Sequence, residues 1–247
     1  MSTCVIVPAA GSGTRLGSAE PKAFVRLRGR SLLGRSLNTI ISSGVATTVV
    51  VAAPEEHLSA AEREIAEIAS GASGMSITAV AGGRDRVESV RLALRHSQAS
   101  DLVLVHDAAR CLTPPEVFRR VVAALDAGAE AVVPVLPMTD TVRRVSADGT
   151  LRGDLDRKSL RRIQTPQGFT SAILERAHAS HRDELDRLGA RAREATDDAG
   201  LVERLGVDVV AVDGHEEALK ITYPLDLVVG EHIARLRDDA DASEARP

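Results

Sequence analysis

The chain has 247 residues, 44% of them hydrophobic, and a formal net charge of −4 at pH 7. This length and composition favour a folded protein with a sizeable core. The weak negative charge argues against a general nucleic-acid-binding protein, and 2% aromatic residues are too few for a base-stacking platform. Two distant cysteines suggest neither a disulfide scaffold nor a metal site, so we expect a reducing cytoplasm. Without a basic, apolar leader, we expect neither a signal peptide nor a membrane span.

Short β-branched, apolar runs alternate with amphipathic segments in the first half of the chain. Strands are predicted at residues 5–7, 47–52, 75–80, 102–105 and 131–136. Helices are predicted at 31–43, at 54–70, after the 82–89 segment, and from residue 113. A short extended piece is expected at 24–27. This alternation predicts an α/β fold, with a Rossmann-like, mostly parallel sheet flanked by helices.

The stretch after the first predicted strand carries small residues and glycines, with a cation at each end. Residues 8–13 contain nothing larger than proline, and Arg15 and Lys22 follow. A backbone of this kind turns sharply and brings its N–H groups close to an anion. We interpret residues 8–17, the glycine loop, as a cradle for a triphosphate. The alternative is an ordinary strand-to-helix turn.

Two better-known phosphate loops do not match this stretch. The dinucleotide fingerprint needs a third glycine where Leu16 stands, and the second predicted strand ends without an acidic residue. The Walker pattern needs a Gly-Lys-Ser/Thr run, and residues 16–18 are Leu-Gly-Ser. Loops rich in glycine or charge also follow the third and fourth predicted strands, at 82–89 and 106–110. Because ligands bind at the carboxyl ends of parallel strands, one cleft is expected to collect all three loops.

The alternating pattern stops after Pro137. Residues 139–145 alternate in polarity, Asp148 and Gly149 form a strong hairpin turn, and 152–162 is polar. We interpret 139–163, the arm, as a projecting hairpin with little core of its own. The alternative is a flexible surface loop. Helices near 170–179 and 196–205, a strand at 207–212 and a final helix from Pro224 complete a single domain over 1–238. A frayed tail is expected at 239–247.

An ordered series of motifs resembles one enzyme family. The series is Pro8-Ala9-Ala10-Gly11-x-Gly13-x-Arg15, Pro21-Lys22, Gly82-Gly83-x-x-Arg86-x-x-Ser89-Val90, His106-Asp107-Ala108-Ala109-Arg110, Asp140-Thr141, Arg157, Gln164-Thr165-Pro166-Gln167, Thr196-Asp197-Asp198 and Lys220-Ile221-Thr222. It is similar to the 2-C-methyl-D-erythritol 4-phosphate cytidylyltransferases of the non-mevalonate isoprenoid pathway, which are of the nucleotidyltransferase fold type. Cys111 departs from the family, which usually has a proline there.

The resemblance implies cytidylyl transfer from CTP to methylerythritol phosphate, with release of pyrophosphate. Because the attacking phosphate is already largely ionised, no general base is needed, and cations and backbone N–H groups should dominate the site. Arg15 and Lys22 are then expected to stabilise charge around the α-phosphate, although each could be a solvated surface cation. His106 is expected to be structural, and Asp107 could instead cap a helix. The residues that the resemblance assigns to CTP are Pro8, Ala9, Ala10, Gly11, Gly13, Gly83, Arg84, Ser89, Asp107 and Ala108. Mg²⁺ is expected to be carried mainly by the CTP phosphates, with its protein ligands left open.

On the acceptor side, the resemblance implies contacts from both ends of the chain. The residues concerned are Asp107, Arg110, Thr141, Arg157, Thr165, Thr196 and Lys220. Arg157 and Lys220 are also expected to be catalytic. Arg157 lies in the arm, which in the family crosses to a second subunit, so a homodimer through the arm is expected. A ribitol 5-phosphate cytidylyltransferase, or a nucleotide-binding regulatory subunit without turnover, are the competing hypotheses.

Overall fold

The structure, a computed structural model, describes residues 1–11, 13–18, 20–68, 74–97 and 99–244, with the backbone alone over 241–244. The strands are β1 Thr3–Pro8, β2 Arg26–Leu27, β3 Arg30–Ser31, β4 Thr48–Ala53, β5 Ser76–Ala81, β6 Leu102–Val105, β7 Ala131–Pro137, β8 Arg144–Val145, β9 Leu151–Arg152, β10 Arg161–Ile163, β11 Gln167–Thr170 and β12 Val210–Asp213. The helices are α1 Leu32–Ser43, α2 Leu58–Ile68, α3 Arg86–Ala93, α4 Pro115–Asp126, α5 Ser171–Leu188, α6 Asp198–Glu203 and α7 Pro224–Glu244.

Eight of the described strands form one mixed, mostly parallel sheet. Its order is β10-β7-β11-β6-β1-β4-β5, and β12 pairs with β7. The pairs β1–β4, β1–β6, β4–β5 and β7–β12 are parallel, as the alternation of strands and helices predicts. The sheet therefore confirms the predicted fold class.

Two strands depart from the parallel expectation. β11 lies between β6 and β7 and runs antiparallel to both. β10 also pairs antiparallel with β7. After β7 the chain leaves the sheet and re-enters it beside β7 at β10, the last three residues of the predicted arm, so its direction is reversed. The 139–163 insertion thus explains both antiparallel strands.

The sheet is covered on both faces because its central strands are apolar at successive positions. In β1, Val5 and Val7 face one core cluster, and Cys4 and Ile6 face the other. Helices α1, α2 and α4 cover the first cluster. Helices α3, α5 and α6 cover the second. Continuous apolar strands of this kind are typical of a sheet buried between two helical layers.

Several element bounds differ from the predictions. Residues 55–57 form a 3₁₀ turn before α2, whose predicted end at residue 70 lies outside the described residues. Helix α5 runs nine residues beyond its predicted end, to Leu188. Helix α7 continues through 239–244, which we predicted to fray, and 245–247 lie outside the described residues. Among the helices that the structure describes, none is long and apolar enough to cross a membrane.

The arm contains the predicted hairpin as a separate two-stranded sheet. Val145 pairs with Leu151 across it, and Gly149 adopts the left-handed φ of 81° at the turn. The side chains of Val145 and Leu151 are 63% and 66% exposed. A two-stranded hairpin without a covered apolar face is marginally stable by itself. The arm therefore has no core of its own, as the sequence indicates.

Candidate active site

Three loops meet in one cleft at the carboxyl edge of the sheet. They follow β1, β5 and β6, and the cleft has a volume of about 420 Å³, within the range of roughly 300–1,000 Å³ that small-molecule sites show. Its lining comes from the glycine loop, from Lys22, from the 82–89 and 106–110 loops, and from Lys220 and Thr222 near the end of the chain. The predicted convergence of the three loops is therefore confirmed.

Most of the predicted site residues line this cleft. They are Pro8, Ala9, Ala10, Gly11, Gly13, Arg15, Lys22, Arg84, Ser89, Asp107, Ala108 and Lys220. The predicted residues outside the lining are Gly83, Arg110, Thr141, Arg157, Thr165 and Thr196.

The glycine loop is shaped by close contact with Lys22. Gly13 has a φ of 70°, and a Cβ added there would lie 2.8 Å from the Cβ of Lys22. The Lys22 N–H also donates to the Gly11 carbonyl, at 3.4 Å. Residues 14–16 and 22–24 form 3₁₀ turns, and the next α-helix begins only at Leu32. The glycine loop therefore leads from β1 into a 3₁₀ turn and not directly into an α-helix.

Three cations converge on the cleft. Burial lowers the pKa of Lys22 to about 8, and the positive charges of Lys220 and Arg15 add to this effect. The Arg15 guanidinium lies over the Tyr223 ring, 5.9 Å from its centroid. Cations that repel one another in a half-enclosed site form a region suited to a polyanion.

The 82–89 loop packs directly on the glycine loop. The Gly82 N–H donates to the Ala53 carbonyl at 2.7 Å, and a Cβ at Gly82 would lie 2.7 Å from that of Ala10. The Gly83 N–H donates to the buried Ser89 hydroxyl at 3.0 Å. Arg84, by contrast, has a side chain 90% exposed that pairs with Glu88. This packing holds the backbone of the loop against the cleft.

Asp107 is held between two cations at the base of the cleft. One carboxylate oxygen accepts from Arg86 Nε at 2.9 Å, and the other pairs with Lys220 Nζ at 2.8 Å. Burial opposes ionisation, but Arg86 and Lys220 outweigh it and hold the pKa of Asp107 well below its usual range. Its side chain makes no cap to the 3₁₀ turn that follows. The helix-cap alternative for Asp107 is therefore wrong.

The sequence reasoning missed three members of this network, which are Arg86, Asp198 and His178. Arg86 Nη1 donates to Asp198 Oδ2 at 2.6 Å, across 112 residues of sequence. Asp198 in turn accepts from His178 Nε2 at 3.0 Å. Both Arg86 and Asp198 stood in motifs that carry the resemblance, but no local pattern could indicate that they pair.

Two predicted acceptor residues lie behind the cleft, Thr165 buried and Arg110 half-buried. Arg110 donates to the carbonyls of Ala218 and Ile163, at 2.6 and 3.1 Å. The Thr165 hydroxyl accepts from the Asp107 N–H and contacts His106 Nδ1, both at 3.1 Å. These bonds connect the 163–165 segment and the 218–222 segment to the 106–110 loop. Both residues therefore help to hold in place the segments that carry Asp107 and Lys220.

His106 has the structural role that we expected. It is fully buried, and its ring lies 4.8 Å from that of Phe118. Burial lowers the pKa of His106 to about 3, so the imidazole is neutral at physiological pH. It therefore packs and orients Thr165.

The remaining acceptor candidates are exposed in the single chain. Thr141 and Thr196 lie on the surface. Arg157, in the arm, donates to the Thr139 carbonyl at 2.7 Å within the same arm. None of the three lines the cleft, so this chain's own arm does not bring Arg157 to Lys220.

The described part of the chain has no group of three or more His, Cys, Asp or Glu side chains arranged to hold a metal ion. The carboxylates lining the cleft are those of Asp85 and Asp107. A divalent cation bound here would therefore need oxygens from a ligand, which suits an ion that arrives with a triphosphate.

Comparison with known proteins identifies the family. The family model for 2-C-methyl-D-erythritol 4-phosphate cytidylyltransferase matches residues 3–236. The chain is 46% identical over 237 residues to the protein of that name from Saccharopolyspora erythraea, covering 94% of this chain and 99% of that protein. The crystal structure of the Thermus thermophilus protein of that name has a TM-score of 0.72 at 36% identity, covering 95% of this chain and 100% of that one. A structure from Anaerococcus prevotii, with a TM-score of 0.80 at 23% identity, supports the fold. The chain thus belongs to the 2-C-methyl-D-erythritol 4-phosphate cytidylyltransferase family.

Proposed function

We propose that this chain transfers the cytidylyl group of CTP to 2-C-methyl-D-erythritol 4-phosphate, giving 4-diphosphocytidyl-2-C-methyl-D-erythritol and pyrophosphate. The observation that carries this proposal is the convergence of Arg15, Lys22 and Lys220 on one cleft beside the glycine loop, in a member of this family. The reaction serves isoprenoid precursor synthesis by the non-mevalonate route.

The chemistry is an in-line displacement at phosphorus. An oxygen of the acceptor phosphate bonds to the α-phosphorus of CTP as the bond to the pyrophosphate oxygen breaks, and the pyrophosphate leaves with that electron pair. Negative charge develops around the α-phosphate and the leaving group. Arg15 and Lys22 stabilise that charge, and the N–H groups of the glycine loop orient the triphosphate. The lowered pKa of Lys22 rises again when the polyanion offsets the neighbouring cations.

The nucleotide end of the site is formed by backbone and small side chains. The triphosphate lies along the backbone of Pro8, Ala9, Ala10, Gly11 and Gly13. The 82–89 loop, with Gly83, Arg84 and Ser89, surrounds the cytosine and ribose, and Asp107 and Ala108 lie near the ribose. The tight packing of Gly82 on Ala10 supports this proposal, because it joins the base-binding loop to the phosphate-binding loop.

At the acceptor end, Lys220 pairs with Asp107, and this carboxylate holds the ammonium group where it can bind the acceptor phosphate. Arg110, Thr165 and Asp107 complete this end from the same chain. We propose that Arg157 and Thr141 are supplied by the arm of a second copy, in a homodimer. The exposed apolar pair in the arm, Val145 and Leu151, supports this arrangement because a partner would cover it. Thr196 is assigned to the acceptor by resemblance alone.

Mg²⁺ is proposed to accompany CTP, with most of its ligands from the phosphates and the carboxylate of Asp107 or Asp85 nearby. It would neutralise part of the triphosphate charge. Both described cysteines are free thiols, and burial raises the pKa of each to about 12. They support the proposal of a cytoplasmic location.

The test is release of pyrophosphate by the purified protein with CTP, Mg²⁺ and a panel of sugar-alcohol phosphates. We expect turnover with methylerythritol phosphate and much less with ribitol 5-phosphate, an acceptor that the family match does not favour. Turnover with ribitol 5-phosphate alone would contradict the proposed acceptor. CTP binding without pyrophosphate release from any acceptor would favour a regulatory subunit.

A complementation experiment tests the shared site. Arg157→Ala and Lys220→Ala are each expected to abolish use of the acceptor while CTP still binds. If the arm crosses the dimer, mixing the two variants creates some heterodimers with one site that holds both cations. Activity should then return. Inactivity of the mixture after proven subunit exchange would show that the arm serves its own subunit or does not reach the acceptor.

A further inference from the structure

A chain of charged and polar side chains runs from the cleft into the core behind it. Asp107 lies at the cleft, Arg86 bridges it to Asp198, and Asp198 accepts from His178. Three successive bonds of 2.9, 2.6 and 3.0 Å join the four side chains. The last two residues belong to helices α6 and α5 and do not line the cleft.

The inner end of this chain is sealed from solvent. Asp198 is fully buried, and His178 is 3% exposed. Burial opposes ionisation of Asp198, but Arg86 and His178 outweigh it and lower its pKa. Because an ionised carboxylate only accepts hydrogen bonds, His178 Nε2 carries the hydrogen that lies between them. Asp198 is therefore an anion that accepts from Arg86 and from His178.

The backbone that carries Asp198 is itself fixed. Asp197 caps α6 by accepting from the Gly200 N–H at 3.1 Å. The Gln167 side chain, on β11, donates to Asp197 at 2.7 Å and accepts from the Ala199 N–H at 3.1 Å. Asp198 therefore presents its carboxylate to Arg86 from a rigid position.

Arg86 can serve both carboxylates in only a narrow range of orientations. Its guanidinium is planar, with Nε directed at Asp107 and Nη1 at Asp198. A rotation that shortens one bond lengthens the other. The position of Asp198 thus sets the plane of Arg86, and that plane sets which Asp107 oxygen remains for Lys220.

Stability alone is a weak reason for this arrangement. Buried ion pairs are often no more stabilising than apolar side chains of similar volume, because desolvation offsets their attraction. We propose that Asp198 and His178 are positioning residues, which act through Arg86 to hold the Asp107 carboxylate in the orientation that places Lys220 for the acceptor. This inference rests on the proposed role of Asp107.

The first test is a double-mutant cycle on kcat/KM for methylerythritol phosphate at saturating CTP. Asp198→Asn keeps the shape of the side chain but removes its charge. It is expected to lower kcat/KM about tenfold, the size of effect that outer hydrogen-bond partners have at metal sites. In an Asp107→Asn background the same substitution should change kcat/KM less than about twofold, because the residue through which it acts is already altered. If Asp198→Asn lowers kcat/KM by the same factor in both backgrounds, the two residues act independently and the inference is overturned.

The second test uses His178 and does not depend on residual activity of an Asp107 variant. His178→Leu removes the donor to Asp198 and keeps an apolar side chain, and a loss of about tenfold in kcat/KM is expected. His178→Gln restores an N–H donor and should recover most of that loss. The matched control is His181→Leu, one turn further along α5. Among the described residues, His181 makes no hydrogen bond to Asp198, which is bonded from this helix by His178. His181→Leu should retain the activity of the unaltered protein.

All variants are compared below their thermal unfolding temperatures, so that only folded protein is assayed. Equal losses in His178→Leu and His178→Gln, or activity of His178→Leu like that of the unaltered protein, would overturn the positioning role. Asp107→Asn with unchanged kcat/KM would overturn the proposed role of Asp107 as well. Absence of cytidylyl transfer by the unaltered protein would instead refute the proposed function.

Discussion

Arg86 offers a sharp test of how the buried charges hold the base of the cleft. Arg86→Met keeps much of the side-chain volume but leaves Asp198, fully buried, without its arginine partner and with His178 as its remaining side-chain partner. Asp107 keeps Lys220. Removing one partner of a buried ion pair costs about 3–5 kcal/mol, because the other charge stays buried and uncompensated. We therefore expect the free energy of unfolding to fall by about that amount at pH 7.

Arg84→Met is the matched control, two residues away in the same loop. The Arg84 side chain is 90% exposed, and its pair with Glu88 lies at the surface. Exposed pairs of this kind contribute about 0–1 kcal/mol. Urea unfolding without ligand, followed by two independent probes to check for two-state behaviour, measures both variants against the unaltered protein. An Arg86→Met loss below about 1 kcal/mol, no larger than that of Arg84→Met, would refute the reasoning.

The pH dependence of this difference gives a second check. In the unaltered protein the pKa values of Asp107 and Asp198 are lowered, so the stability they contribute is present above their unfolded pKa and is lost as pH falls. Without Arg86, the pKa of Asp198 should rise above its unfolded value, and proton uptake should then stabilise the variant. The difference in the free energy of unfolding between the unaltered protein and Arg86→Met should therefore become smaller as pH falls from 7 towards roughly 4, which is near the ordinary pKa of aspartate. A difference that grows would contradict this account.

Four further outcomes are expected. Gly13→Ala should lower kcat more than Gly17→Ala, because both sites have a left-handed φ but an added Cβ clashes with Lys22 only at Gly13; equal losses would show that backbone strain alone matters. The dissociation constant of CTP should rise about tenfold from pH 7 to 9 as Lys22 loses its proton near pH 8, and Lys22→Arg should abolish that rise; an unchanged slope would mean that another group titrates. Arg15→Ala and Lys22→Ala should each lower kcat, with a loss on the order of 3 kcal/mol in transition-state stabilisation; near-normal kcat in both variants would show that the site is misassigned. CTP should be preferred to ATP, GTP and UTP because the 82–89 loop is too small to hold a purine by stacking, and equal turnover with ATP would contradict this.

Local patterns in the sequence predict the elements that surround the cleft well. The apolar run at 102–105 coincides with β6, and Ser31 caps α1 at the residue where the amphipathic pattern begins. The glycine loop could also be recognised, because glycine and small residues act on the backbone where they stand. Such signals are local, so neighbouring residues suffice to produce them.

Pairings between distant segments could not be predicted in the same way. An aspartate in a polar stretch such as 196–198 is usually expected to face solvent. Only the tertiary fold brings α6 close enough to α3 for the Asp198 carboxylate to reach Arg86. Arg110 carries the same charge as Arg15, yet its side chain does not line the cleft and donates instead to the carbonyls of Ala218 and Ile163. In each case the partner is chosen by geometry between segments that lie far apart in the sequence, which no local propensity encodes.

The sequence by itself determined the α/β class, the order of most elements, the three loops and the two cations of the glycine-loop region, Arg15 and Lys22, because periodicity and small residues act over a few positions. The tertiary structure decided the antiparallel entry of β11 between β6 and β7, the ion pairs of Asp107, the burial of Thr165 and the hydrogen bonds of Arg110 to the Ala218 and Ile163 carbonyls. These depend on where separate segments meet. Strand order, burial and charge pairing are properties of the packed chain, since each is set by contacts whose free energy exists only after folding has brought the segments together.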